Sequence, residues 1–407
     1  MNYLRPPALL AVELDLYRQL YGHSVRDMDQ ALGRAPSPPE LIDLTHGDTR
    51  AFTPPTSAIT DFDAAVTDNS EAYSAYRGSG NVREVLAPRA GALLRRDVNP
   101  HRDIILTPGT QGGLFTSLSA LVAPNDVVAF PSREYFMDER ICAYLGATTH
   151  RIPLRQDEYG VITLHDADLA TATAAGVRGI VLSHPNNPTG GIYAAESLDR
   201  LAAWVVAHDL WAVVDQLYCR LVFDGRNYIH LGALRGMAER TITLIGPSKT
   251  ESMSGYRVGA AIAPPDVIDA MEQVISLAAL RTGGYAQHTL RHWMDDDGPW
   301  LNQRTVEHQA IRDTLLARLR EIPGLRVSIP AGSSYVFPDT SHTPWAHAHG
   351  SNDDFALCVA LKGAGVLVSP GYQFGLDGRG HFRINFSQNL TRLTRALDLI
   401  ERVLTNT

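Results

Sequence analysis

Between residues 80 and 263, short runs of apolar and β-branched residues alternate with longer amphipathic stretches. The runs fall at 103–106, 126–130, 179–182, 210–214 and 241–245, with a sixth at 259–262. A run of four or five apolar residues fits a strand covered on both faces, and a longer stretch with helical spacing fits a covering helix. Helices are predicted over 113–122, 138–145 and 195–208, and Pro124-Asn125-Asp126 and the segment 185–191 break the pattern. This alternation predicts an α/β protein whose mainly parallel sheet lies between helices.

The flanks read differently. A helix is predicted over 8–33, the chain turns irregular at Ser37-Pro38-Pro39, and a long helix covers roughly 300–321. Strands at 325–329, 365–369 and 381–386 precede a last helix over 390–404. The expected organisation is a large domain over 47–299 and a smaller α+β domain built from both chain ends, 1–46 and 300–407. No internal repeat or low-complexity block interrupts it.

Composition narrows the function classes. The 407 residues are 44% hydrophobic and 20% charged, ordinary for a globular protein. A net charge of −8, a pI near 6.0 and dispersed basic residues argue against a nucleic-acid or anionic-membrane face. Cys142, Cys219 and Cys358 give neither a disulfide framework nor paired metal-ligand spacing, and they read as small buried apolar residues. The fifteen histidines show no HExxH-like spacing, so no metal is expected. No apolar stretch is long enough to span a bilayer, and the first residues lack the basic start and apolar run of a secretory signal. A cytoplasmic protein is the expectation.

Polar residues follow the apolar runs in a telling way. Thr110 and Gln111 follow the first run, Tyr135 the second, Asn187 the third, Asp215 the fourth and Lys249 the fifth. In an open α/β sheet the carboxyl ends of the strands face one crevice, so five segments would converge on one ligand. Thr107-Pro108-Gly109-Thr110-Gln111-Gly112-Gly113 joins a strand to a helix, where free backbone N–H groups suit a phosphate, although a plain tight turn reads the same way. It matches neither the dinucleotide nor the nucleotide phosphate loop. Lys249, after Ser248, would be a carbonyl-condensing nucleophile if held in an apolar pocket, and a structural surface lysine otherwise. Arg257, eight residues on, can grip a phosphate with two hydrogen bonds. Asp215 either pairs with a protonated ring nitrogen or caps a helix. Asn187, between Asn186 and Pro188, is a fixed amide, with a cis bond expected at Pro188.

Together these motifs resemble the class I/II aminotransferases of the fold-type I pyridoxal-phosphate enzymes, from about residue 44 to the C-terminus. Asn187-Pro188-Thr189-Gly190 resembles the family's Asn-Pro-x-Gly, Asp215 to Tyr218 its Asp-x-x-Tyr, and Ser248-Lys249 with Gly255-Tyr256-Arg257-Val258-Gly259 its lysine and phosphate motifs. The resemblance implies pyridoxal 5′-phosphate bound to Lys249 as a Schiff base. It places Asp215 on the pyridine nitrogen, Asn187 and Tyr218 on the phenolic oxygen, Tyr135 against the ring, and Thr110, Gln111, Ser248 and Arg257 around the phosphate. It further implies that Tyr73 reaches the phosphate of a partner subunit in a homodimer with shared sites, that Arg383 binds the substrate α-carboxylate, and that Gly47 lies near the substrate.

The sequence departs from the family pattern at Gly246, where a serine or threonine usually contacts the phosphate, and at Gln216, where a glutamate commonly stands. The stretch Pro131-Ser132-Arg133-Glu134-Tyr135 is longer than the usual Pro-x-Tyr. The expected activity is transfer of an amino group between an amino acid and a 2-oxo acid. The alternative is a specialised pyridoxal-phosphate lyase, replacement, cyclising or oxidase enzyme. A catalytically silent binding module is disfavoured by the joint retention of Lys249, Asp215, Asn187 and Arg257. His46 and Arg50 lie near the expected substrate mouth, and Arg281 lies in a segment that in the family reaches a partner's site.

Overall fold

The computed structural model describes residues 7–13, 18, 23–69, 71–295 and 297–405. Among them, seven strands form one sheet in the order Ile104–Thr107, Gly259–Ile262, Thr241–Ile245, Trp211–Asp215, Val177–Ser183, Val127–Pro131 and Thr148–Ile152. Gly259–Ile262 runs antiparallel to both neighbours, and all other neighbouring pairs are parallel. All six expected runs are strands of this sheet. The seventh, Thr148–Ile152, escaped prediction because an edge strand needs only one covered face and this one is polar along most of its length.

Side chains alternate across the sheet, and each face has its own core. Ala212 and Val214 pack with Ile180 and Leu182 against Leu198, Leu201 and Val205 of the helix Ala195–Ala207. Val213 points the other way, with Ile242, Leu114 and Leu118 of the helix Gly109–Leu121, and Ile268, Met271 and Ile275 of Pro265–Ala278. The helix Gly109–Leu121 starts four residues before the expected 113, so the glycines lie inside its first turn. The first N–H groups of a helix have no partner within it, so glycine weakens it least there.

The chain ends come together in a third core. Ile42–Asp43 pairs in parallel with Val366–Leu367, and Phe382–Asn385 lies between Tyr335–Val336 and Ser369–Pro370. Leu32, Leu44, Leu319, Leu361, Ile384, Leu397 and Ile400 fill the space between these strands and the helices Val25–Arg34, Gly298–Glu321, Asp354–Ala364 and Leu390–Thr405. Each such buried leucine or isoleucine contributes about 1.5–3 kcal/mol through loss of apolar surface to water.

Two expectations need correction. The helix expected over 8–33 is not continuous: Pro7–Glu13 is helical, a new helix Val25–Arg34 begins after the bend at His23, and most residues between them lie outside the described residues. Ser24 starts the second, its hydroxyl accepting from Asp27 N–H while the Asp27 carboxylate accepts from Ser24 N–H. The strand expected over 325–329 is not formed; Arg326 makes an isolated bridge to Asp339, and Pro330 follows, with no N–H to extend a ladder. No helix among the described residues is long and apolar enough to cross a membrane.

Gly179 shows how tightly the sheet is built. It sits opposite Trp211 in register, and a Cβ at 179 would lie 2.1 Å from Trp211 Cδ2. The indole lies across the bare glycine backbone. Gly179→Ala is expected to destabilise the protein by about 1–3 kcal/mol, read as a lowered urea midpoint at unchanged slope.

Candidate active site

The carboxyl ends of the parallel strands open on a cleft of about 820 Å³. Thr110 and Gln111 enter it after Ile104–Thr107, Tyr135 after Val127–Pro131, Asn187 after Val177–Ser183, Asp215 and Tyr218 after Trp211–Asp215, and Ser248 and Lys249 after Thr241–Ile245. The antiparallel strand Gly259–Ile262 enters the sheet from this same edge, which puts Arg257, two residues before it, in the lining too. Arg383 reaches the cleft from Phe382–Asn385 in the smaller core. Tyr73 and Gly47 do not line it. Tyr73 is 82% exposed, its ring 5.0 Å from the Arg281 guanidinium carbon, and Gly47 lies against Ser387.

On the floor, Asp215 accepts from Leu217 N–H at 3.0 Å. Burial pushes its pKa up to about 6, against the opposing pull of that hydrogen bond and of the Lys249 charge. Gln216 turns away from the cleft and is buried, its side-chain oxygen 2.6 Å from His230 Nδ1. Burial lowers the His230 pKa to about 4, so the imidazole is neutral and donates to that oxygen. Tyr135 donates its hydroxyl to Gln111 at 3.0 Å and forms a wall.

At the other end, Arg383 Nη1 donates to Asn187 Oδ1 at 2.7 Å, and Nη2 donates to Thr45 O at 2.9 Å and Ser369 Oγ at 3.1 Å. Its guanidinium carbon lies 4.0 Å from the Tyr335 ring centre and 4.9 Å from that of Phe374. Burial raises the Tyr335 phenol, but the Arg383 and Lys249 charges together with hydrogen bonds from Tyr218 and Asn385 bring the group below its usual value. Tyr218 meets Tyr335 edge to face at 5.3 Å.

Sequence reasoning missed Tyr335, Ser369 and Thr45, and it missed Glu134. Glu134 is buried, accepting from Tyr135 N–H at 2.8 Å, Ser183 N–H at 2.9 Å and Asn186 Nδ2 at 3.3 Å, with the Ser183 hydroxyl against it. Ser183 Oγ in turn accepts from Asn187 N–H at 2.9 Å. Glu134 thus ties the Tyr135 wall to the Asn187 loop, and burial pushes its pKa up to about 8. The lone acid in the lengthened Pro131–Tyr135 stretch was the available signal. The cis peptide of this region is His184–Pro185, not the bond to Pro188.

The lining fits pyridoxal phosphate. No side chain caps the start of the helix Gly109–Leu121, leaving its first N–H groups available to an anion. A Cβ at Gly109 would lie 2.6 Å from Arg257 Nη2, so only glycine lets the guanidinium lie against that helix start. Ser248 Oγ is buried there without a hydrogen-bond partner among the described residues. Asp215, on the floor, is a buried carboxylate suited to a cationic ring nitrogen. No cluster of three or more metal-ligating side chains occurs among the described residues.

A parallel-sheet cleft with a lysine just past a strand end, an uncapped helix start beside an arginine, and a buried arginine from the smaller core is the arrangement of the fold-type I pyridoxal-phosphate enzymes. Residues 39–400 match the family model described as aminotransferase class I and II, and the chain belongs to that family. It is a pyridoxal-phosphate-dependent aminotransferase, moving an amino group between an amino acid and a 2-oxo acid. It is 28% identical over 334 residues to an aromatic-amino-acid aminotransferase of Thermococcus litoralis, covering 82% of this chain and 84% of that one. An arginine–pyruvate transaminase of Pseudomonas aeruginosa is 27% identical over 355 residues, covering 87% and 88%. The crystal structure of an aspartate aminotransferase from Rhodobacter sphaeroides superposes with a TM-score of 0.84 at 34% identity, covering 94% of this chain and 99% of that one.

Two outcomes follow from the buried acids. Glu134→Ala takes the acceptor from the Ser183 N–H and hydroxyl and from the Tyr135 N–H, while Asn186 Nδ2 keeps the Arg133 carbonyl, and it is expected to cost about 2–4 kcal/mol in denaturant unfolding. For Asp215 the folded pKa is raised, so its favourable contribution is complete below the ordinary carboxylate range and disappears as pH rises through about 6. In cofactor-free protein, the melting temperature of Asp215→Asn relative to wild type is therefore expected to rise between about pH 4 and 6 and then level off.

Proposed function

We propose that Lys249 is the covalent attachment point and proton carrier of this cleft, and that the residues around it divide between cofactor and substrate. The observation that carries the reading is convergence: Asn187, Asp215, Lys249, Arg257 and Arg383 come from five separate segments and line one cavity. Pyridoxal phosphate, when bound, supplies a carbonyl that condenses with amines and a cationic ring that accepts the electron pair released at the donor Cα.

The roles follow from position. Asp215 holds the proton on the ring nitrogen, because a buried carboxylate is stabilised by a cation beside it. Asn187 and Tyr218, both in the lining, would hold the phenolic oxygen, and Tyr135 would form the wall beside the ring. Arg257, Ser248, Thr110 and Gln111 bind the phosphate at the helix start. Arg383 takes the α-carboxylate of amino acid and 2-oxo acid alike, which fixes the direction of the Cα–H bond. Lys249 Nζ, once free of the cofactor, would take the proton from the donor Cα and return it to the carbon on the far side of the donor nitrogen, two bonds away.

The assembly we propose is a homodimer with shared sites, in a cytoplasmic setting consistent with three unpaired cysteines. Its support is the exposed Tyr73, held beside Arg281, together with Leu277 at 90% exposure. In that assembly Tyr73 serves the partner's phosphate. Gly47, next to Ser387 and two residues from the Thr45 carbonyl that holds Arg383, stands behind the α-carboxylate site.

The test is an absorbance titration of cofactor-loaded protein with a panel of amino acids. Conversion of the cofactor to its amine form, reversed by a 2-oxo acid, is expected for wild type. Lys249→Ala is expected to lose covalent attachment and at least about 10⁴-fold in turnover, as nucleophile and base vanish together. An unchanged starting spectrum in that variant would overturn the assignment.

A further inference from the structure

The cleft extends past the groups used above, and its outer part carries two side chains of one chemical character. Asp29 lines it from the helix Val25–Arg34, whose start is fixed by the Ser24–Asp27 capping box. Gln373 lines it from the tight turn Gly371–Phe374. The next residue, Phe374, holds its ring 4.9 Å from the Arg383 guanidinium carbon, so Gln373 stands one residue from the wall of the carboxylate clamp.

These two side chains hold each other. Gln373 Nε2 donates to Asp29 Oδ1 at 2.7 Å, and the Tyr372 hydroxyl donates to the same oxygen at 3.1 Å. With the Gln373 amide turned this way, its oxygen is an acceptor. Asp29 Oδ2 is an acceptor too, and the nearest guanidinium nitrogen, Arg140 Nη2, lies 3.9 Å away, beyond hydrogen-bond length. Burial holds the Asp29 carboxyl above its ordinary value despite those two hydrogen bonds and the Arg140 charge, so a cation brought within hydrogen-bond length is favoured.

The cations of the lining are committed elsewhere. Arg383 is held by Asn187, Thr45 and Ser369, and Arg257 lies at the helix start. Lys362 Nζ donates to Leu32 O at 2.8 Å and Gly33 O at 2.9 Å. With Lys249 assigned to the cofactor, an acidic donor would bring its second carboxylate against Asp29 with no uncommitted lysine or arginine of the described lining to receive it.

We propose that Asp29 and Gln373 read the far end of the donor's side chain, and that the preferred donor ends in a cationic nitrogen, an ammonium or guanidinium group. The inference rests on the proposed function, since it takes Arg383 as the α-carboxylate site.

The experiment measures kcat/KM of the holoenzyme for L-arginine, L-ornithine, L-norleucine and L-aspartate, in wild type and Asp29→Asn. Wild type is expected to favour a basic donor over norleucine. Asp29→Asn is expected to lose about 10- to 100-fold with the basic donor and less than about threefold with norleucine, as for a truncated charge-assisted hydrogen bond. Preference for aspartate or norleucine in wild type overturns the inference, and so does an equal loss on every donor, which marks Asp29 as merely structural. If no amino acid aminates the cofactor, the proposed function fails and takes this inference with it. Amination without a basic preference removes this inference alone.

Discussion

Arg383 brings a full positive charge to a place where only 6% of its surface remains exposed. Leaving such a charge unanswered costs several kcal/mol, so everything around it is arranged to answer it. Asn187 comes from the large sheet, Thr45 from the segment after the N-terminal helices, Ser369 from a short strand, and Tyr335 and Phe374 present their faces. The guanidinium therefore joins the two cores at one point. In the roles proposed above, the Arg383–Asn187 hydrogen bond links the substrate clamp to the cofactor site. Arg383 Nε, buried and without a partner among the described residues, keeps one donor in reserve.

The rest of the site obeys the same rule of compensation. Asp215 is costly where it stands until a cation joins it, and Glu134 is tolerated because several donors converge on its carboxyl group. The sheet supplies the geometry cheaply: parallel strands end at one edge, and each needs only one or two polar residues beyond its last apolar one. The antiparallel strand Gly259–Ile262 enters from that edge, and so delivers Arg257 from before a strand instead of after it.

Much of this was legible because doubly covered strands admit few polar residues. The runs ending at Leu106, Phe130, Leu182, Val214 and Ile245 stand out for that reason, and the residues just past them were identifiable as a site. Thr148–Ile152 was not, since an edge strand can stay polar. Tyr335 and Ser369 escaped because their place depends on the smaller core docking over the sheet, a long-range contact with no local pattern. Glu134 sat one residue from Tyr135 yet was overlooked, since a buried acid and a surface acid look alike until the donors around them are known. Asp29 belongs to the same class: the helix around it was expected, its facing was not.

Gly246 and Thr110 form a pair whose meaning lies in how such a site can change. A Cβ at 246 would lie 3.1 Å from Thr110 Cγ2 and 3.4 Å from the Gly259 backbone, so a larger residue there needs the threonine methyl to give by a few tenths of an ångström. The threonine methyl and a side chain at 246 compete for one space. A lineage moving between the two arrangements must cross a state that is overfilled or hollow, and the order of the two replacements decides which. The two positions on the floor of this cleft therefore vary as a pair, since what one can hold depends on the other.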